Sequence, residues 1–164
     1  LAGARETWDV IVLDAYGRDY VPFHLMTLEF LRIVRDHLAP GGVLLTNLIG
    51  SREGPASTLL RSEAFTLSQV FPWTQHVPTR SDLGPYMVEE TIIVASQAAP
   101  ERWARLAAYP DEGVEMPKVH DARILADLES MRLSLEGVPT LTDHFAPVET
   151  FLSPVTMESF RAAG

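Results

Sequence analysis

The chain has no cysteine. Disulfides, thiolate metal sites and a cysteine nucleophile are thereby excluded, and the composition fits a reducing, cytoplasmic setting. Long apolar runs are also absent. None approaches the about 20 residues that a membrane helix needs. Residues 1–6 lack the apolar stretch of a secretory signal. Basic residues are scarce, 13 Lys+Arg against 22 Asp+Glu, for a formal net charge of −9. That balance disfavours a grip on nucleic acid or anionic membrane, since both need a basic face. It is compatible with a cationic substrate, although solubility alone also accounts for it. No GxGxxG, P-loop or GxSxG occurs. A nucleotide-type cofactor would therefore lack its glycine turn within this chain. The five histidines (His24, His37, His76, His120 and His144) are scattered, with no HExxH spacing, so no metal site is expected.

What remains is ordinary globular material. The length of 164 residues and the hydrophobic fraction of 46% suit one domain with a real core. Residues 8–14 (WDVIVLD) form a short apolar run ending in a carboxylate. Without alternation, it predicts a strand buried on both faces, as in a parallel sheet. Residues 15–23 carry Gly17, Asp19 and Pro22 and read as a loop. Apolar residues at helical spacing predict a helix over 24–38, whose start Thr27 and Glu29 could shift by a few residues. Pro40-Gly41-Gly42 is expected to stop it. Residues 43–49 (VLLTNLI) predict a second buried strand, which completes a βαβ unit. A helix over 56–71 follows. Strands over 75–79 and 90–95 are joined by a polar, turn-rich stretch and are expected to pair antiparallel. Helices are expected over 100–108 and 121–135, irregular chain over 109–118 and 139–149, and a short frayed helix over 153–164.

Two parallel strands with one crossover do not complete an α/β domain. The first strand is apolar enough to be central, yet almost nothing precedes it and the chain begins at Leu1. Its outer edge is expected to be unpaired. Either a second chain supplies the neighbouring strand, so that the chain self-associates or dimerises, or the sequence is the latter part of a larger fold. The second expectation is preferred.

In open α/β sheets, ligands bind beyond the carboxyl ends of the strands. Asp14 ends the first strand there, where a carboxylate can anchor an amine or take its proton; it could equally cap a turn. Tyr16 could supply a ring or a hydroxyl, and Asp19 a second carboxylate. Loop packing and solvation are their alternatives. Asn47 lies near the end of the second strand and could face the same crevice or be satisfied by backbone. The adjacent pair Glu89-Glu90 points to opposite faces of a strand, a poor dyad and an expected solvated edge.

Three stretches carry a resemblance. They are WDVIVLDAY from Trp8 to Tyr16, VPFHLMTLEFL from Val21 to Leu31 and LAPGGVLL from Leu38 to Leu45. Together they resemble the spermidine synthase-like (polyamine aminopropyltransferase) family, whose fold is similar to that of class I S-adenosylmethionine-dependent methyltransferases. LTDHFAPVE, from Leu141 to Glu149, resembles a closing motif of its bacterial members. The resemblance implies an α/β, Rossmann-like methyltransferase/spermidine synthase fold of which residues 1–152 form the C-terminal half and 153–164 a tail. It implies Asp14 as the group assisting deprotonation of the attacking amine. Ala15, Tyr16, Asp19 and Asn47 become the substrate or cofactor contacts. The co-substrate would be decarboxylated S-adenosylmethionine or S-adenosylmethionine, the partner a small-molecule amine, and the isolated chain inactive. The chain departs from the family at Gly17, where a second Asp is usual, and at Arg80, where a Tyr is usual. A methyltransferase-like protein with a non-polyamine acceptor, or a non-catalytic remnant, is the alternative.

Overall fold

The computed structural model describes residues 6–14, 22–80, 83–99 and 132–162. Over these residues the chain forms β1 (Trp8–Leu13), α1 (Leu28–Asp36), β2 (Leu38–Gly50), α2 (Thr58–Ser68), β3 (Trp73–Pro78), β4 (Glu89–Ser96) and α3 (Val148–Ala162). Short 3-10 turns at Phe23–Leu25 and Pro55–Ser57 lead towards α1 and into α2. The strands make one sheet in the order β1-β2-β4-β3. β1 and β2 run parallel, with α1 as their crossover, and β4 lies antiparallel between β2 and β3. Both the βαβ unit and the antiparallel pair expected from the sequence are present, and the class is α/β.

The first helix is shorter than its periodicity suggests. Thr27 caps it: its Oγ1 accepts the Phe30 N–H at 3.3 Å, and the start moves to Leu28. The helix ends at Asp36, and β2 begins two residues later. Pro40-Gly41-Gly42 is therefore not the helix stop. It lies inside β2 as a bulge, where the register jumps from Trp8↔Leu38 to Val10↔Val43. Gly41 takes φ +80°, and a Cβ on Gly42 would stand 2.9 Å from the carbonyl oxygens of Ala39 and Trp8. Both positions need glycine for that reason.

β1 is not buried on both faces. Val10 is 52% and Val12 60% exposed, whereas Leu13 is buried. The correction follows from topology: among the described residues β1 is the sheet's edge, and no described element covers the face that carries Val10 and Val12. The opposite face holds the core. Leu44 and Leu48 of β2 and Ile93 and Ala95 of β4 pack there with Leu31 and Val34 of α1, Leu59, Leu60 and Leu67 of α2 and Val155 of α3. Glu63 of α2 is also fully buried there and accepts a hydrogen bond from Thr46 Oγ1 of β2 at 2.9 Å.

The C-terminal part is stitched across the helices. Leu141 donates its N–H to Thr66 Oγ1 (2.9 Å) and accepts from the Leu28 N–H (2.8 Å), so it joins α2 to α1. Arg61 holds the carbonyls of Ser134 and Glu136. Residues 132–135 are not helical, so the helix expected over 121–135 does not reach them. The last helix is longer than expected and starts at Val148. Pro147 accepts from the Phe151 N–H and suits a first turn, where its missing N–H costs nothing. α3 runs continuously through residues 152 and 153, with Pro154 inside it. The expected elements at 100–108 and 109–118, and the 121–131 part of the helix, lie outside the described residues.

Candidate functional site

The carboxyl ends of β1 and β2 lie at one end of the sheet because the strands are parallel. The register pairs Leu13 with Thr46, which brings the next residues, Asp14 and Asn47, side by side. Asp14 stands one residue past β1 and is exposed. Asn47 is half-buried, and its Nδ2 donates to Asp14 Oδ1 at 3.3 Å. The same amide orientation leaves Asn47 Oδ1 shielded from solvent and without a hydrogen-bond partner among the described residues. One carboxylate oxygen of Asp14 is thus tethered, while an adjacent buried acceptor waits for a donor. A buried amide oxygen left unpaired costs about 1–3 kcal/mol. A ligand carrying an N–H group satisfies it. Ala15, Tyr16 and Asp19 lie outside the described residues.

Two loops rise beyond this level at the same end of the sheet. One is the β2–α2 turn at residues 51–57 and the other the described part of the β3–β4 connection, residues 79–80 and 83–88. The turn is closed by Ser51 Oγ on the Glu53 carbonyl (2.7 Å) and by Ser57 Oγ on the Gly54 carbonyl (2.7 Å). The loops are tied to each other: the amides of Arg52 and Glu53 both donate to the Pro85 carbonyl at 2.9 Å. Tyr86 hydrogen-bonds Glu53 and is itself 64% exposed. That hydrogen bond, with the Glu53 negative charge, raises the phenol above its ordinary value of 10.0.

Glu89 is not the solvated edge residue expected from the sequence. It is 6% exposed, whereas its neighbour Glu90 is exposed. Parity explains this, because residue 89 shares the core-facing face of β4 with Thr91, Ile93 and Ala95. Arg52, Glu53 and Tyr86 were not singled out from the sequence either. No local spacing marks them, since they meet only when β2 and β4 pair antiparallel. Glu89 alone carried a readable signal, the alternation of β4. No described helix is long and apolar enough to cross a membrane.

No family model matches the chain. Two curated proteins do. A probable polyamine aminopropyl transferase of Bifidobacterium longum (strain NCC 2705) is 37% identical over 71 residues, 43% of this chain and 16% of that protein. A polyamine aminopropyltransferase of Vibrio vulnificus (strain CMCP6) is 38% identical over 66 residues, 40% of this chain and 20% of that protein. The matched segments thus span a fifth or less of these relatives. Among solved structures, a probable spermidine synthase from Corynebacterium glutamicum ATCC 13032 superposes with a TM-score of 0.57 at 18% identity. The superposition covers 85% of this chain and 50% of that one. The resemblance read from the sequence is thereby borne out: the chain is similar in sequence to polyamine aminopropyltransferases over about two-fifths of its length, and it has the fold of a spermidine synthase.

Proposed function

We propose that this chain carries the amine-handling part of an aminopropyl transferase. Asp14 takes the proton of the attacking amine, and Asn47 holds the carboxylate in place. The observation that carries this reading is the pair itself: a tethered carboxylate beside an unpartnered amide oxygen, at the end of the sheet where ligands bind. A primary amine offers both an N–H for Asn47 Oδ1 and a proton for Asp14.

In the reaction, the amine nitrogen attacks the donor carbon next to the sulfonium. A C–N bond forms as the C–S bond breaks, and the electron pair of that bond returns to sulfur as a neutral thioether. The amine proton passes to Asp14. Such a displacement needs a neutral nucleophile held in line, so orientation supplies much of the rate. Decarboxylated S-adenosylmethionine is the donor in this reading. Ala15, Tyr16 and Asp19, which follow Asp14 in sequence, are its assigned contacts with substrate. The chain has no glycine-rich turn, so the nucleoside of the donor is assigned to residues outside it. The isolated chain is accordingly expected to be inactive.

Calorimetric titration of the complete protein with putrescine tests the amine site. Binding is expected, weakened at least tenfold by Asp14→Asn and by Asn47→Leu. Undiminished binding in both variants would move the amine elsewhere.

A further inference from the structure

We propose that Glu90 is a second amine-binding carboxylate, which together with Asp14 selects an acceptor carrying two ammonium groups at the ends of an apolar chain. Glu90 has this role only with the amine site proposed above, and it defines the class of acceptor which that site takes.

The register of β2 and β4 places Glu90. Asn47 pairs with Ile92 and Ile49 with Glu90, in a continuous antiparallel ladder that runs from Val43 to Gly50. Residues directly opposite each other in such a ladder share a face of the sheet. Glu90 therefore stands on the face that carries Asn47, whereas Glu89 turns to the core. Asp14 reaches the same face, since its Oδ1 accepts from Asn47 Nδ2 at 3.3 Å. The strand order β1-β2-β4 puts Asp14 on one side of Asn47 and Glu90 on the other. Neighbouring strands lie about 4.8 Å apart and rise about 3.3 Å per residue. Two strand spacings across and two residues along then set the Cα atoms of Asp14 and Glu90 about 12 Å apart.

Asn47, Ile49 and Ile92 lie between the two carboxylates, all half-buried. The isoleucines offer methyl groups, and Asn47 offers the acceptor Oδ1. The Glu90 side chain is exposed, and among the described residues no hydrogen bond or ion pair engages its carboxylate. Its backbone is fixed, because Thr79 donates both its N–H (3.1 Å) and its Oγ1–H (2.8 Å) to the Glu90 carbonyl. The pattern is a carboxylate, an apolar strip and a second carboxylate, which matches an alkane with an amine at each end. Extended, a four-carbon diamine holds its nitrogens about 6 Å apart, and a carboxylate oxygen sits about 2.8 Å beyond each. The acceptors it needs are up to about 12 Å apart, within reach of these two side chains. The nitrogen at Asp14 gives up its proton and attacks. The distal nitrogen keeps its charge and its contact with Glu90. A monoamine of the same chain length makes the first contact and leaves Glu90 in water.

Calorimetric titration of the complete protein with putrescine and with n-butylamine tests the second carboxylate, since the two probes differ by one nitrogen. The wild-type protein is expected to bind putrescine about fivefold or more tighter than butylamine, as one charge-assisted contact allows. Glu90→Gln keeps the volume and removes the charge at an exposed position, so the core is untouched. It is expected to weaken putrescine about fivefold or more and to leave butylamine within about twofold, so that the preference disappears. Asp14→Asn is expected to weaken both amines. Glu136→Gln removes another exposed charge, on the helix-covered side where the Glu136 carbonyl accepts from Arg61, and is expected to change neither. Equal binding of the two amines by the wild-type protein would overturn the role of Glu90. So would a preference for putrescine that survives Glu90→Gln, or one that Glu136→Gln abolishes as fully. In each of these cases butylamine still binds, and the site at Asp14 stands. If neither amine binds the wild-type protein, the amine site itself fails, and the role of Glu90 fails with it.

Discussion

Asp14 and Asn47 show how little a sequence position says until its neighbour is known. Asp14 could have capped a turn, yet its described hydrogen bond is to a side chain on the adjacent parallel strand. Asn47 could have been satisfied by backbone, yet among the described residues its buried oxygen has no partner. The other residue of note is Tyr86. Its phenol is raised because its O–H donates a hydrogen bond to the Glu53 carboxylate and by that group's negative charge. A raised value means that the folded state favours the neutral phenol. The contact therefore contributes fully below the ordinary phenol range, and its contribution is lost as pH rises through the raised folded value. Absorbance titration should place Tyr86 above 10.0. Glu53→Gln should bring the midpoint back to the ordinary phenol range, and an unchanged midpoint would deny the contact.

The elements were legible where burial alone decides and illegible where tertiary partners do. Residues 8–14 carry enough apolar, β-branched character to mark β1, and the turn-rich stretch between β3 and β4 marks their pairing. The ends were harder. Thr27 draws the start of α1 inward through a single cap that competes with good helical spacing on either side. Pro40-Gly41-Gly42 has the composition of a helix stop, and only the close approach of the Trp8 carbonyl shows that it is a bulge. Gly42→Ala meets backbone oxygens that cannot move independently of the sheet. It should destabilise the fold by about 1–3 kcal/mol, as overpacking does, read as a lowered denaturation midpoint in urea. At the site, Asp14 and Asn47 were found because both sit at strand ends. Glu90 was not placed there, because 43 residues separate it from Asn47 in sequence and only the β2–β4 register joins them.

For the whole molecule, the edge of β1 and the acidic balance matter most. Among the described residues β1 has no partner on its outer side, and Val10 and Val12 are exposed. An uncovered apolar edge favours association with a further strand. The isolated chain is therefore expected to self-associate through β1, and Val12→Lys should shift it towards monomer in sedimentation; an unchanged distribution would free that edge of the role. A net charge of −9 also favours the approach of cations. One assay gives the most direct test of aminopropyl transfer at Asp14. The complete protein is incubated with putrescine and decarboxylated S-adenosylmethionine, and spermidine and methylthioadenosine are measured together. Equal amounts of both are expected, with Asp14→Asn about 10²–10⁴-fold slower, the usual range for loss of a general base, at unchanged donor affinity. No methylthioadenosine, methyl transfer from S-adenosylmethionine instead, or a wild-type rate in Asp14→Asn would contradict it.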